Sequence, residues 1–325
     1  MLVYAGIDEA GYGPILGPLV IVRSVFVLEN YCSLDECPSL WALLKSVVCK
    51  DCADKGRRIA INDSKLLYRP AGGVQHLERC ILSFLGANGC NPECLDELLR
   101  KLAFDEESMI AVQPWYAGAG DTASLPVAVQ CSDLLATSQR LAEATTRLRI
   151  RLADVNAAVV FEDRFNRLVA AGGSKAMCAW EFVSGHLRSI WNQFRQHPIF
   201  VTVDRQGGRK YYANLLRTTF PEATLEILEE ADRTSRYRIA SGDGSMHIIV
   251  QVKGDMLHLP VAFASMTAKY VRELLMMRFQ AFWKTHAPGV KPTCGYVNDG
   301  RRFLRQIEPF MDKLNIDPQT LVRSC

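Results

Sequence analysis

The sequence predicts a mixed α/β fold in which helices pack on a central sheet, and three observations carry this. Apolar runs with few polar interruptions occur at Leu2–Asp8 and Leu19–Leu28, as expected for strands buried on both faces. Helical stripes recur at Gln130–Leu152, Ala176–Phe194 and Ala264–Phe282. Strand and helix patterns also interleave along the chain, which favours helices packed on a mixed sheet over separate layers.

In order, Leu2–Asp8 reads as a strand, and Gly11, Gly13, Pro14, Gly17 and Pro18 turn the chain before the strand Leu19–Leu28. Residues 30–58 are irregular, and Ile59–Asn62 leads into Asp63-Ser64-Lys65. In the segment from Gln130, Leu134, Ser138, Leu141, Thr145, Leu148 and Leu152 share one helical face. Ala157–Phe161 reads as a strand, and Trp180, Phe182, Leu187, Ile190 and Trp191 mark the apolar face of the next helix. Ile199–Val203 is a short buried-type strand ending at Asp204. Ala223–Gln251 alternates like strands, with Gly242-Asp243-Gly244 as a hairpin turn.

The chain has 325 residues, 49% hydrophobic and 22% charged, with a net charge of +3, so it can bury a substantial core and is not a disordered polymer. That charge neither demands nor excludes a polyanionic partner. No apolar run reaches the roughly 18–20 residues of a membrane span, and Asp8 and Glu9 come too early for a secretory leader. Eleven scattered cysteines suit reduced thiols. A cytoplasmic protein without a membrane partner is expected. Cys32, Cys37, Cys49 and Cys52 could hold zinc, although the spacing of the first pair is loose and free thiols are the default.

The informative pattern is in the acids. Asp8-Glu9 closes the first strand, Asp204 closes a later one, and Glu273 lies on the helix beginning at Ala264. Convergent carboxylates repel one another, and as hard oxygen ligands they suit Mg²⁺. Two such ions can clamp the attacking and leaving oxygens of a phosphodiester displacement. Neighbours on a regular strand point to opposite faces, so Asp8 and Glu9 share a site only if the strand ends or twists there. Spacing alone leaves open a set of merely solvated strand-end acids. Ser265, Lys269 and Glu273, at i, i+4 and i+8, line one helix face, where Lys269 either neutralises the acids or makes a surface pair.

Residues 6–18, GIDEAGYGPILGP, resemble the opening signature of ribonuclease HII, the type 2 ribonuclease H family. Four further segments resemble that family in the same order: Asn62-Asp63-Ser64-Lys65, Val203-Asp204, the helix segment Ala264–Glu273, and Gly295-Tyr296 followed by Arg302-Phe303-Leu304. The resemblance implies a ribonuclease H-like mixed five-stranded sheet flanked by helices. It implies a single catalytic domain over 1–325, with insertions near 30–58, 69–128 and 224–255.

It also implies an endonuclease, acting as a monomer, that uses Mg²⁺ or Mn²⁺ in a two-metal mechanism. The substrate would be the RNA strand of an RNA–DNA hybrid, or a ribonucleotide within duplex DNA. Asp8, Glu9, Asp204 and Glu273 are the catalytic and metal-binding residues so implied. Gly11, Tyr12, Gly13, Ser64, Lys65, Ser265, Lys269 and Tyr296 are the substrate-binding ones. The sequence departs from the family at Tyr12, where the middle of the glycine turn is normally basic, and at Glu273, where the family usually has Asp. A catalytically impaired nucleic-acid-binding module and a structure-selective DNA nuclease remain alternatives. From Lys253 onward there are eleven Lys and Arg against six Asp and Glu, and Arg301, Arg302 and Arg305 are candidates for phosphate contacts.

Overall fold

A computed structural model describes residues 1–32, 37–51, 53–54, 58–68, 73–109, 113–117 and 124–324. Seven strands form the main sheet in the order β5-β2-β1-β6-β9-β8-β7. They are β1 (Leu2–Ala10), β2 (Leu19–Leu28), β5 (Ile150–Val160), β6 (Ile199–Asp204), β7 (Thr224–Glu230), β8 (Thr234–Ser241) and β9 (Gly244–Gln251). Two short strands, β3 (Val48–Cys49) and β4 (Ile59–Ala60), pair separately. β1 runs antiparallel to β2 and parallel to β6, and β6 runs parallel to β9.

The mixed sheet flanked by helices is as expected, with seven strands where five were expected. β7 and β8 form a hairpin added to one edge, within the segment read as an insertion. β9, from that same segment, pairs directly with β6 and so belongs to the sheet's interior.

The first five helices are α1 (Leu40–Leu43), α2 (Ser64–Leu67), α3 (Gln75–Ala87), α4 (Leu95–Leu102) and α5 (Glu106–Met109). After them come α6 (Cys131–Leu148), α7 (Glu162–Ala170), α8 (Lys175–Phe194), α9 (Ala213–Thr219), α10 (Gly254–Leu257), α11 (Leu259–His286), α12 (Val297–Leu314) and α13 (Pro318–Leu321). The stripe expected to run to Leu152 stops at Leu148. Arg149 caps α6 in a left-handed conformation (φ 52°), and Leu152 lies in β5.

The alternation of β1 divides the core in two. Leu2 and Tyr4 face the layer that includes α3 and α11, and Val3, Ala5 and Ile7 face the layer of α8 and α9. On the first side Phe26, Phe84 and Phe263 meet with ring centroids 4.9–6.0 Å apart. Such aromatic pairs contribute about 0.5–1.5 kcal/mol each beyond simple burial. Gly6 brings α11 down onto β1, because a Cβ there would overlap the Pro260 and Val261 backbone. Ser24 Oγ fastens the same point by donating to the Pro260 carbonyl at 2.7 Å. This contact sets where the α11 side chains fall along β1.

Candidate active site

The acids collect where β1 outruns its parallel partner. The β1–β6 ladder stops at Ile7–Val203, whereas β1 stays paired with β2 as far as Ala10. Asp8 and Glu9 therefore project beside an open edge, and Asp204 ends β6 next to them. The strand neither ends nor bulges at Asp8, so the two side chains leave it in different directions, but the end of the β1–β6 ladder before them leaves both within electrostatic reach of Asp204 and of each other. Asp8 accepts from the Ser265 hydroxyl of α11, and Glu9 accepts from Gln206 Nε2 at 3.3 Å. Asp204 bridges the two environments, being the strongest charge acting on each. The Asp8 carboxylate also folds along the strand to accept the Glu9 N–H at 2.7 Å.

Burial, then Asp204, Glu9 and Asp255, hold Asp8 well above the usual carboxylate range. Burial, then Asp204, raise Glu9. Asp204 is raised by burial, against the N–H of Gly254, which donates to its Oδ1 at 2.8 Å. Asp255 is pushed up to about 6 by burial, then by Asp63 and Asp204. Asp255 is the acid that sequence reasoning missed. It opens α10, directly after the Gly254 that binds Asp204. The only cation acting on all of Glu9, Asp204 and Asp255 among their principal influences is Lys65.

Glu273 lies elsewhere. Its carboxylate takes Lys269 Nζ at 2.6 Å and Tyr68 OH at 2.8 Å, and Lys269 also sits 4.3 Å from the Tyr68 ring centroid. Ser265 touches Asp8, and eight helical residues advance about 12 Å, so Glu273 is carried past the acids. Glu273 is not among the principal charges acting on Asp8, Glu9, Asp204 or Asp255. Lys269 is accordingly committed to Glu273.

The other expected residues surround the acids. Ser64 and Ser265 are buried with their hydroxyls 3.1 Å apart, and Asp63 caps α2 by accepting the Lys65 N–H at 2.8 Å. Gly11 has φ +87°, and a Cβ there would lie 2.5 Å from the Pro18 carbonyl and 2.8 Å from Arg272 Nε. Tyr296 stands 56% exposed, with its ring edge 3.7 Å from where a Gly13 Cβ would sit. It is thus an open aromatic face over the turn.

That turn is held from beneath. Glu162 Oε1 accepts the Gly17 N–H at 2.8 Å and the Tyr116 hydroxyl at 2.7 Å. Arg323 donates to the carbonyls of Gly11 and Pro14, and Arg272 to those of Leu16 and Cys294. Of the basic residues expected to meet phosphate, Arg302 is spent on Asp299 (2.6 Å) and the Pro292 carbonyl (2.7 Å).

Among the described residues no three His, Cys, Asp or Glu side chains form a ready metal cage. The donor set still fits a hard dication: its members are oxygen-only and mutually repelling, with raised pKa values that a positive ion would relieve. Mg²⁺ commonly takes one or two carboxylates and completes its shell with water and substrate phosphate, so it requires no cage. The proposed zinc site gains no support. Cys37 hydrogen-bonds with Tyr4, Cys49 donates to the Asp51 carbonyl at 3.2 Å, and Cys52 lies outside the described residues.

Sheet and site together define a mixed α/β protein with a buried acidic cluster beside a braced glycine-rich turn. No protein-family model and no curated protein matches the chain. Among solved structures it is similar to the RNase HII of Archaeoglobus fulgidus from a complex with PCNA. That match has TM-score 0.40 and 14% identity, over 99% of this chain and 93% of that one. It is also similar to the ribonuclease H2 of Pyrococcus horikoshii OT3, with TM-score 0.39 and 16% identity over 98% and 92%. Bst-RNase HIII in complex with Mn²⁺ gives TM-score 0.42 and 12% identity over 99% and 66%. At such scores and identities none of these likenesses bears on what the chain does. No helix among the described residues is long and apolar enough to cross a membrane.

Proposed function

We propose that this chain is a diverged ribonuclease H-like endonuclease that hydrolyses a phosphodiester of an RNA–DNA hybrid or at a ribonucleotide in duplex DNA. The supporting observation is the meeting of carboxylates from three separate segments: the end of β1, the end of β6 and the start of α10. Burying like charges together costs stability unless a cation joins them. In this reading the chain works as one catalytic domain over 1–325, and the segments near 30–58, 69–128 and 224–255 elaborate it.

Asp8, Asp204 and Asp255 would hold Mg²⁺ or Mn²⁺, with Glu9 completing the set in place of the expected Glu273. When bound, the ions would supply the positive charge against which a phosphodiester displacement develops. The remaining roles belong to the chain. Gly254 N–H fixes the Asp204 carboxylate, Ser265 orients Asp8, and Gln206 orients Glu9. Lys65 offsets phosphate charge at the mouth. The turn at Gly11–Gly13 presents backbone groups to the ribose, whose 2′-hydroxyl distinguishes RNA from DNA at one sugar. Tyr296 offers a stacking face beside it.

The test is cleavage of three labelled duplexes (hybrid, single-ribonucleotide and all-DNA) with Mg²⁺, with Mn²⁺ and with chelator. The expected result is dication-dependent cleavage of a ribonucleotide-containing duplex, with the all-DNA duplex intact and Asp8→Asn and Asp204→Asn inactive. Cleavage retained in both variants would refute the assignment. Cutting of the all-DNA duplex would point to a DNA nuclease, and binding without cutting to a non-catalytic module.

A further inference from the structure

The turn Gly11-Tyr12-Gly13 has no cation of its own, yet the fold brings cations to it from two other elements. Lys175, the first residue of α8, places Nζ 4.9 Å from the centroid of the Tyr12 ring. From the loop after β6, a Cβ at Gly207 would lie 3.5 Å from the Tyr12 hydroxyl. Arg209 of that loop acts electrostatically on Tyr12, as Glu9 does. Tyr12 thus lies between the acidic cluster and a basic surface assembled from residues about 35 positions apart.

The cations of the loop after β6 are not equivalent. Lys210 pairs with Asp232 at 2.6 Å, and Arg205 donates to the Asp232 carbonyl at 2.6 Å. Arg209 makes no ion pair among the described residues, and its guanidinium rests against Met177 Sδ at 3.5 Å. A thioether is a weak acceptor, so that contact orients the fork without using up its donors. Gly207 takes φ +59°, and at Gly208 a Cβ would meet nothing within 4 Å, so the backbone here is open to close approach. Tyr211, two residues after Arg209, is 66% exposed, and Met177, against which Arg209 rests, is 40% exposed. The start of the 20-residue helix α8 adds its positive end to the same place.

We propose that Lys175 and Arg209, with the open backbone at Gly207–Gly208 and the exposed Tyr211 ring, form a second backbone-binding subsite for the nucleic-acid strand. It adjoins the ring and hydroxyl of Tyr12 and is built from elements other than the turn itself. It rests on the nuclease reading and specifies how that site grips its substrate beyond the cleaved bond. Cationic grooves with exposed aromatic rings are a general means of holding a strand without reading its sequence. The guanidinium fork fits phosphate oxygens, and Lys175 serves as a point charge.

The experiment uses the full chain and a fluorescein-labelled hybrid duplex of about 20 base pairs, with anisotropy followed across a salt titration in chelator. Lys175→Ala/Arg209→Ala is expected to weaken binding about tenfold or more near 0.1 M salt. The slope of log K against log salt should fall by about two, one for each phosphate that is no longer neutralised. In cleavage assays the loss falls on KM rather than kcat, and Arg209→Lys with Lys175 intact recovers most of the slope. A slope and affinity equal to the wild type overturn the proposal. So does a fall in kcat with unchanged slope, which would assign both residues to the structure of the turn. Wild-type binding with the expected slope but no cleavage leaves the subsite standing and removes the nuclease reading. Failure of the wild type to bind removes both.

Discussion

Glu162→Gln removes an ionisable group from beneath the glycine-rich turn while keeping its shape and an acceptor for the Gly17 N–H. Burial, against the donation from Tyr116, pushes Glu162 from an ordinary 4.5 to about 7. A raised carboxyl pKa means the folded chain holds the proton more tightly than the unfolded one. Its contribution is fully present below about 4.5 and is lost as pH rises through about 7. Moving this carboxyl from 4.5 to about 7 corresponds to about 3 kcal/mol. Most of that loss, about 2–3 kcal/mol, falls between pH 5 and pH 8. Urea unfolding of wild type and variant at both pH values measures it directly. Every other titrating group, including the acids of the site, is common to the two proteins and cancels in the difference. The variant should lose about 2–3 kcal/mol less than the wild type over this interval. Parallel pH dependence in the two proteins would refute the reasoning.

Three further outcomes follow from the same geometry. Gly11→Ala must adopt a positive φ costing about 1–2 kcal/mol and must also displace the Pro18 carbonyl. Urea unfolding should therefore show a loss of at least about 2 kcal/mol, with KM for a hybrid raised. Arg323→Ala leaves the Gly11 and Pro14 carbonyls without their guanidinium donor, and should cost about 2–4 kcal/mol of stability because a buried charged hydrogen bond disappears. A stability equal to wild type would show that the turn does not depend on this brace. Lys65→Ala should slow cleavage about 10–100-fold, the value of a charge-assisted contact, and Lys269→Ala far less because Lys269 serves Glu273. Equal effects on cleavage rate would contradict the distinction.

Much of the architecture and three of the four clustered acids, Asp8, Glu9 and Asp204, are legible in the sequence, for identifiable physical reasons. β1, β2 and β6 are largely buried, so their apolar runs stand out, and Asp8 and Asp204 are the first acids after the runs of β1 and β6. In the reading proposed here Asp255 takes the place expected of Glu273, which the sequence suggests because helical periodicity makes Ser265, Lys269 and Glu273 look like one functional face. Periodicity fixes direction around an axis but not distance along it, and about 12 Å separates the ends of that face. Asp255 gives no periodic signal, since α10 has only four residues. The rule that singles out Asp8 and Asp204, an acid just past an apolar strand beside a glycine, also describes Val250-Gln251-Val252-Lys253-Gly254-Asp255. Applied to β9, it finds the residue. The surface around Tyr12 has no sequence signature, because Lys175 and Arg209 become neighbours of the turn only after β6 pairs with β1 and α8 packs on the sheet.

The most direct measurement is the Mg²⁺-dependent rate of hybrid cleavage by Asp255→Asn and Glu273→Gln, compared side by side with the wild type. If Asp255 belongs to the ion-holding carboxylates, its variant falls at least about 100-fold while Glu273→Gln stays within about tenfold. Loss of activity in Glu273→Gln together with normal turnover in Asp255→Asn would contradict the assignment.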